Sequence, residues 1–362
     1  MVSRKLSREK LQEALVGHCV TIEQTLKAMD NEVAIIVDDA GRMCGLVTDG
    51  DIRRAFLGGA TMETPIRQIM SPHPFAIQED DCLSPGEIMA LMLKHQIRHL
   101  PVIDYDGFPV GLELLRDQYN DDDLAPAVLM AGGKGSRLYP LTAETPKPLL
   151  KVGDQTIIDN VIAGLKSCGV KNIAVSINYL GEKIKQHLGT GDDELRLKYL
   201  EEKEALGTAG ALSLLSPRPD RAFIVMNADL MTEVDYKAFV RFHKNSGNQL
   251  SVGVRRIEEK IPFGVIDLDE HSGELRQIRE KPVNTYFINA GIYMLEPQLL
   301  ELIPAQQFFD MVALINAALA RGYKVGAFPI LEYWRDIGRH QEIAQARQEW
   351  RQRRQPVTTT VI

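Results

Sequence analysis

From Ala127 onward the chain alternates short apolar runs with helix-patterned stretches, and this rhythm limits the fold more than any other feature. Ala127 to Ala131, Ile173 to Ile177 and Ala222 to Met226 have the length and composition of buried strands. Between the first two, Ile157, Ile158, Val161, Ile162 and Leu165 recur at helical spacing. Parallel strands need a crossover of about a dozen residues or more, usually a helix. The alternation therefore predicts an α/β domain whose mostly parallel sheet is covered by helices on both faces. Ligands of such sheets bind beyond the carboxyl ends of the strands.

The first run ends at such a position, in Gly132-Gly133-Lys134-Gly135-Ser136-Arg137. Three glycines let backbone amides approach a triphosphate, and Lys134 and Arg137 supply neutralising charge. The spacing is not that of a P-loop, because no Gly-Lys-Ser/Thr follows at the required distance. Further on, Pro146-Lys147-Pro148-Leu149-Leu150 sets one lysine between two prolines. Fixed backbone dihedrals on either side make the direction of Lys147 reproducible.

The first third of the chain repeats itself. Asp38, Gly41, Gly45, Leu46 and Asp51 recur 66 positions later as Asp104, Gly107, Gly111, Leu112 and Asp117. Each copy reads as apolar strand, Asp/Gly turn, apolar strand. In the first copy, Thr48 and Asp51 sit at a strand end just before a helix, where they can hold ribose hydroxyls and a phosphate. The second copy has Leu114 in place of Thr48 and keeps Asp117. The acidic run Asn120-Asp121-Asp122-Asp123 and Pro126 then mark a boundary. The reading is residues 1–120 as the repeat unit, 121–125 as linker, 126–346 as the α/β domain and 347–362 as a basic tail, helical from Arg347 to Arg354 and solvated, with docking onto another subunit as the alternative.

A formal net charge of -7 argues against broad nucleic-acid binding. Cys19, Cys44, Cys82 and Cys168 are scattered without ligand spacing, which suits a reducing compartment. Met1 to Leu15 lacks an apolar secretory core, and no run approaches about 18 apolar residues. These features predict a cytoplasmic chain with no membrane span. The eight histidines show no clear metal-ligand pattern.

Taken together, Leu129 to Leu138 and Pro146-Lys147-Pro148-Leu149 resemble the signature of sugar-1-phosphate nucleotidyltransferases. Gly207-Thr208-Ala209-Gly210, Met226-Asn227-Ala228-Asp229, Phe263-Gly264-Val265, Glu280-Lys281-Pro282, Asn289-Ala290-Gly291 and Trp334-Arg335-Asp336-Ile337-Gly338 follow in that family's order. The resemblance runs from about Pro126 to Ala346 and implies a Rossmann-like, GT-A-like domain. It implies nucleotide contacts from Leu129, Ala131, Gly132, Gly133, Lys134, Gly135, Asn178, Gly207 and Thr208. Arg137, Lys147 and Asp229 would be catalytic, with Mg²⁺ held between Asp229 and Asp336. Gly264, Glu280, Lys281 and Asn289 would bind the sugar phosphate.

Roughly residues 14 to 118 resemble a tandem pair of CBS domains, an α+β module. That likeness implies an adenine nucleotide near Thr48, Asp51 and Asp117 and a tendency to homo-oligomers; a purely dimerising module is the alternative. The stretch Glu201 to Gly210 is similar to its counterpart in mannose-1-phosphate guanylyltransferases. A CBS pair ahead of such a domain also resembles hexosamine-1-phosphate guanylyltransferases of nonulosonic acid pathways. The expected reaction is transfer of GMP from GTP to a mannose- or glucosamine-type 1-phosphate with release of pyrophosphate. Uridylyl or thymidylyl transfer to a glucose-type 1-phosphate, or a non-catalytic nucleotide sensor, are the alternatives.

The sugar phosphate is already ionised, its second pKa being about 6, so no general base is required. The obstacle is the approach of two anions, which at 4 Å repel by roughly 4 kcal/mol per unit charge pair at an effective dielectric of 20.

Overall fold

The computed structural model describes residues 2–29, 32–116 and 124–354. The chain divides into two compact units, Met1–Asp121 and Asp122–Ile362.

The first unit runs β1 (Val2–Lys5), α1 (Arg8–Glu13), β2 (Leu15–Gly17), α2 (Ile22–Ala28), β3 (Val33–Val37), β4 (Met43–Thr48), α3 (Asp49–Leu57), β5 (Ser71–Pro72), β6 (Ile77–Gln78), α4 (Pro85–Lys94), β7 (His99–Ile103) and β8 (Pro109–Arg116). These strands form two four-stranded sheets, ordered β2-β3-β4-β5 and β1-β8-β7-β6. The sequence repeat reappears in the ladders: Val33 faces Thr48, and 66 residues later His99 faces Leu114. Both hairpins shift register at the same place, after Ile36 and after Val102. Asp38 Oδ1 accepts from the amides of Ala40 and Arg42, and Asp104 Oδ1 from those of Asp106 and Phe108. Each aspartate closes its turn the same way. Strand β1 precedes the first repeat yet completes the sheet of the second by pairing with β8. Leu46 of one repeat and Leu112 and Leu114 of the other share one core, so the halves are interleaved. Asp117 lies outside the described residues.

The second unit contains β9 (Ala127–Met130), β10 (Lys151–Val152), β11 (Gln155–Thr156), α5 (Ile157–Ser167), β12 (Asn172–Ile177), α6 (Gly181–Leu188), β13 (Arg196–Glu201), α7 (Gly207–Gly210), β14 (Phe223–Asn227), β15 (Leu230–Thr232), α8 (Tyr236–Ser246) and β16 (Leu250–Lys260). It continues with β17 (Gly264–Leu268), β18 (Leu275–Glu280), β19 (Val283–Leu295), α9 (Met311–Ala320), β20 (Val325–Pro329), β21 (Trp334–Asp336) and α10 (His340–Arg354). Seven strands form a sheet ordered β13-β12-β9-β14-β19-β16-β20. All adjacent pairs are parallel except those of β19, which runs against β14 and β16. Successive residues of β9 point to opposite faces, so Leu129 joins one core with Val175 and Phe239, and Val128 joins the other with Val225 and Leu314. Burial on both faces explains the nearly continuous apolar runs.

Two expectations about the borders are corrected. Leu124 and Ala125, expected in the linker, pack against the core of the second unit, and the Leu124 amide donates to Gly169 O at 3.2 Å. The run 347–354 is helical as expected, but it is the second half of α10 and is not solvated all round. Ile343, Ala346 and Trp350 pack with Leu138, Val152 and Ile337. Their spacing of three and four residues puts them on one helix face, and the basic residues occupy the rest. Among the described residues, no helix is long and apolar enough to cross a membrane.

Candidate active site

The parallel ladder between β9 and β14 pairs Met130 with Asn227. It therefore sets the glycine-rich loop beside the turn that carries Asp229. The Ala131 amide donates to Ser176 O at 2.9 Å, extending the sheet to the start of the loop. Leu129 and Ala131 are buried in the core, so they face any ligand only through the backbone. At Gly132 a Cβ would stand 2.7 Å from Glu202 Oε1, and at Gly135 (φ +60°) it would meet Thr142 and Lys147 at about 3 Å. A side chain at Gly132 would displace the Glu202 carboxylate, and Gly135 is favoured by its left-handed conformation and tight surroundings. Lys134 and Arg137 are exposed. Arg137 lies over Gly338, its Nη1 3.5 Å from where a Cβ would be.

Lys147 is in the opposite situation. It is 7% exposed and donates to Asp229 and, at 3.4 Å, to Asp336. The antiparallel pair β15 and β21 matches Leu230 with Asp336, which brings the two aspartates together across 107 residues of sequence. Asp229 Oδ1 is buried and has no hydrogen-bond partner. Burial pushes the Asp229 carboxyl above its usual range; Lys147 opposes this and the charge on Asp336 adds to it. A buried, unpartnered carboxylate oxygen beside a second carboxylate fits a hard divalent cation. Such a cation takes one or two carboxylates and completes its shell with water and substrate phosphate. Among the described residues there is no cluster of three or more metal-ligating side chains, so the fit rests on these two carboxylates.

Next to this pair opens a cleft of about 410 Å³ lined by Asn227, Asn289, Gly291, Trp334, Asp336 and Glu342, among others. Asn289 Oδ1 accepts from the Gly291 amide at 3.0 Å, and Trp334 Nε1 donates to Ala290 O at 2.9 Å. Glu342 accepts from the Gly338 amide at 2.7 Å and so pins α10 to the segment carrying Asp336. The structure brings Asn289 to this cleft but not the other expected sugar-side residues. Gly264, Glu280 and Lys281 lie on the exposed hairpin β17–β18, where Gly264 faces Glu280, and none of them lines the cleft.

At the other side of the loop, Asn178 Nδ2 donates to Glu202 O at 2.8 Å. Gly207 has φ +79°, and the amides of Ala209 and Gly210 both donate to Phe309 O. Thr208 Oγ1 accepts from the Met311 amide at 2.9 Å, so its hydroxyl ties this segment to α9. One residue escaped the sequence reading. Glu202 directs its carboxylate at the loop, accepting from Ser176 Oγ and, at 2.8 Å, from the Leu206 amide. It belongs to the stretch Glu201 to Gly210 already singled out by resemblance, but only its closeness to Gly132 distinguishes it from the other carboxylates there.

Residues 126–353 match the family model described as nucleotidyl transferase. The chain belongs to the nucleotidyl transferase family. Residues 20–58 and 66–112 match the CBS domain model, so the repeat unit carries two CBS domains. The nucleotidyl transferase domain is similar to a mannose-1-phosphate guanylyltransferase catalytic subunit beta of Drosophila pseudoobscura pseudoobscura, 33% identical over 220 residues, 59% of this chain and 58% of the relative. It is similar to mannose-1-phosphate guanylyltransferase 1 of Arabidopsis thaliana at 33% over 222 residues, 59% of this chain and 61% of the relative. The chain thus spans about three-fifths of the length of these relatives. Among solved structures, HddC from Yersinia pseudotuberculosis matches with a TM-score of 0.50 and 26% identity, over 63% of this chain and 100% of that one. A Bacillus anthracis protein assigned as a glucose-1-phosphate thymidylyltransferase, crystallised with sucrose, matches with a TM-score of 0.52 and 26% identity, over 63% and 96%.

Proposed function

We propose that the second unit transfers GMP from GTP to a mannose- or glucosamine-type sugar 1-phosphate and releases pyrophosphate. The observation that carries this reading is the buried Lys147 set between Asp229 and Asp336, beside a glycine-rich loop flanked by the exposed Lys134 and Arg137. The reaction needs two phosphate esters brought together and no proton removed. Loop amides with Lys134 and Arg137 hold the pyrophosphate that departs, and Lys147 steadies the phosphate that is attacked. Asp229 and Asp336 would hold Mg²⁺, which supplies charge neutralisation between the two anions. Leu129, Ala131, Gly132, Gly133 and Gly135 contribute backbone to the nucleotide, with Asn178, Gly207 and Thr208 shaping its base end. Asn289 takes sugar hydroxyls in the cleft; Gly264, Glu280 and Lys281 do not line it and would serve the sugar phosphate only if their hairpin moved toward it.

Guanine is favoured by Glu202. Its carboxylate is an acceptor, and the Watson–Crick edge of guanine offers two adjacent N–H donors. Uracil and thymine offer one N–H between two carbonyl oxygens, which a carboxylate repels. The mannose-1-phosphate guanylyltransferase relatives support the same base. Thymidylyl transfer is the second reading, supported by the Bacillus anthracis neighbour. For the CBS pair we infer an adenine nucleotide at Thr48 and Asp51, with Asp117 from the second repeat, and for the whole chain a cytoplasmic homo-oligomer.

The test is pyrophosphate release from ATP, CTP, GTP, UTP and dTTP, each combined with mannose, glucosamine and glucose 1-phosphates, with Mg²⁺ or with a chelator. GTP with a mannose- or glucosamine-type acceptor should be fastest, and the chelator should stop turnover. A faster reaction with UTP or dTTP would transfer the reading to the alternative base. Silence with every pair would leave only a non-catalytic sensor.

A further inference from the structure

The cleft beside Asp336 is lined by two guanidinium groups in different situations. Arg335 is fully engaged: Nε and Nη2 donate to Glu349, and Nη1 donates to Gln345 at 2.9 Å. Arg255, half-buried on β16, uses only Nη1, which donates to Ile330 O at 2.8 Å and to Glu332 O at 2.9 Å. Those two carbonyls hold the guanidinium in place. Nε and Nη2 carry the parallel donors of its other edge, and they bond to no acceptor among the described residues.

The place of Arg255 in the sheet decides what those donors meet. β16 lies two strands from β14, the strand that leads to Asp229, with β19 between them, a separation of about 10 Å. Along β19, Arg255 pairs with Ile288 while Met226 of β14 pairs with Ile292, so Arg255 is displaced lengthwise as well. A phosphate held at Asp229 and Asp336 therefore sits at one end of the cleft and Arg255 at the other. Glu332 offsets part of the guanidinium charge, and Asp336 and Glu342 also line the cleft, so the open edge calls for neutral oxygen acceptors more than for a countercharge. Taking the second unit as the transferase proposed above, we propose that Arg255 determines acceptor specificity by gripping the sugar hydroxyls opposite the phosphate, those on C4 and C6. A donor-only edge that has shed its water rewards an oxygen there and penalises a hydrogen or an ammonium group.

The experiment uses the full chain with GTP and either mannose or glucosamine 1-phosphate, whichever turns over faster, against the 4-deoxy and 6-deoxy analogues of that sugar phosphate. Removing at least one of the two hydroxyls should lower kcat/KM by at least about tenfold. In Arg255→Gln the intact sugar should lose a similar factor, that deoxy analogue should lose nothing further, and KM for GTP should stay unchanged. The cycle separates grip from scaffolding, because a residue that merely holds the 330–332 segment lowers intact and deoxy sugars alike. Equal use of intact and deoxy sugars by the unsubstituted chain, a result that does not depend on the variant folding, overturns the proposal, as do parallel losses in Arg255→Gln. Calorimetric binding of the same sugar phosphates runs the cycle without turnover. Coupling seen there in a chain that releases no pyrophosphate would defeat the transfer reading alone, and absence of binding would defeat both.

Discussion

Asp229 is the residue on which the proposed chemistry turns, because its carboxylate is buried, is paired with Lys147, and keeps one oxygen unpartnered. Replacing it by asparagine keeps the shape and removes the charge. Asp229→Asn should lower turnover by at least about a hundredfold, the scale of losing one well-placed electrostatic group. Response to added Mg²⁺ should disappear with it, while the thermal midpoint stays within a few degrees. Activity within threefold of the unsubstituted enzyme would remove the metal role. The sequence shows Lys147 as a cation aimed by two prolines, and it shows Asp229 just past a strand. It does not show that the two touch, since they are 82 residues apart and meet through a crossover whose geometry only the folded sheet supplies. Glu202 fared worse, because carboxylates among Glu201, Lys203 and Glu204 look alike until one of them is found against Gly132.

At the scale of elements, the readable parts are those whose burial leaves a period. β9, β12 and β14 are covered on both faces and read as unbroken apolar runs, while α5 buries Ile157, Ile158, Val161 and Leu165. The hairpin β17–β18 has no buried residue to mark it. α10 was misjudged for another reason: its three core residues are diluted by glutamine and arginine. Those polar residues also work. Arg335 Nη2 donates to Glu349 Oε1 at 2.6 Å, and Tyr333 Oη donates to Glu349 Oε2 at 2.9 Å, which fastens α10 to the strand ending in Asp336. Trp350 is 7% exposed and packs beside Gly153 and the Tyr333 ring. Trp350→Ala should therefore destabilise the second unit by about 3–5 kcal/mol in a denaturant titration. It should also raise the Mg²⁺ concentration needed for half-maximal turnover, because β21 loosens. A change below about 1 kcal/mol would mean that α10 is the loose tail its composition suggests.

For the whole molecule, the question is what a pair of CBS repeats contributes to a chain whose proposed nucleotide site lies in its second unit. The two CBS repeats share ladder register and turn chemistry but not the residue in the second strand that pairs with Val33 in the first and His99 in the second. In the first, Thr48 Oγ1 donates to Asp51 Oδ2 at 2.6 Å and accepts from the Asp51 amide at 3.2 Å, presenting a hydroxyl and a carboxylate at the N-terminus of α3. Such an end is suited to a phosphate, while the Asp51 carboxylate is held by the Thr48 amide and hydroxyl and by Arg54. In the second, Leu114 occupies the register of Thr48 and is buried in the shared core, where it offers no hydroxyl. Calorimetry of the full chain with AMP should therefore give one ligand per chain, not two. Thr48→Val should abolish binding, and since it also removes a cap worth about 1 kcal/mol, Thr48→Ser serves as the control that restores both hydroxyl and affinity. Two ligands per chain would mean that the second repeat recognises its nucleotide without the hydroxyl. No binding would reduce the pair to scaffolding, and restored folding without restored affinity in Thr48→Ser would assign the threonine to the helix cap alone.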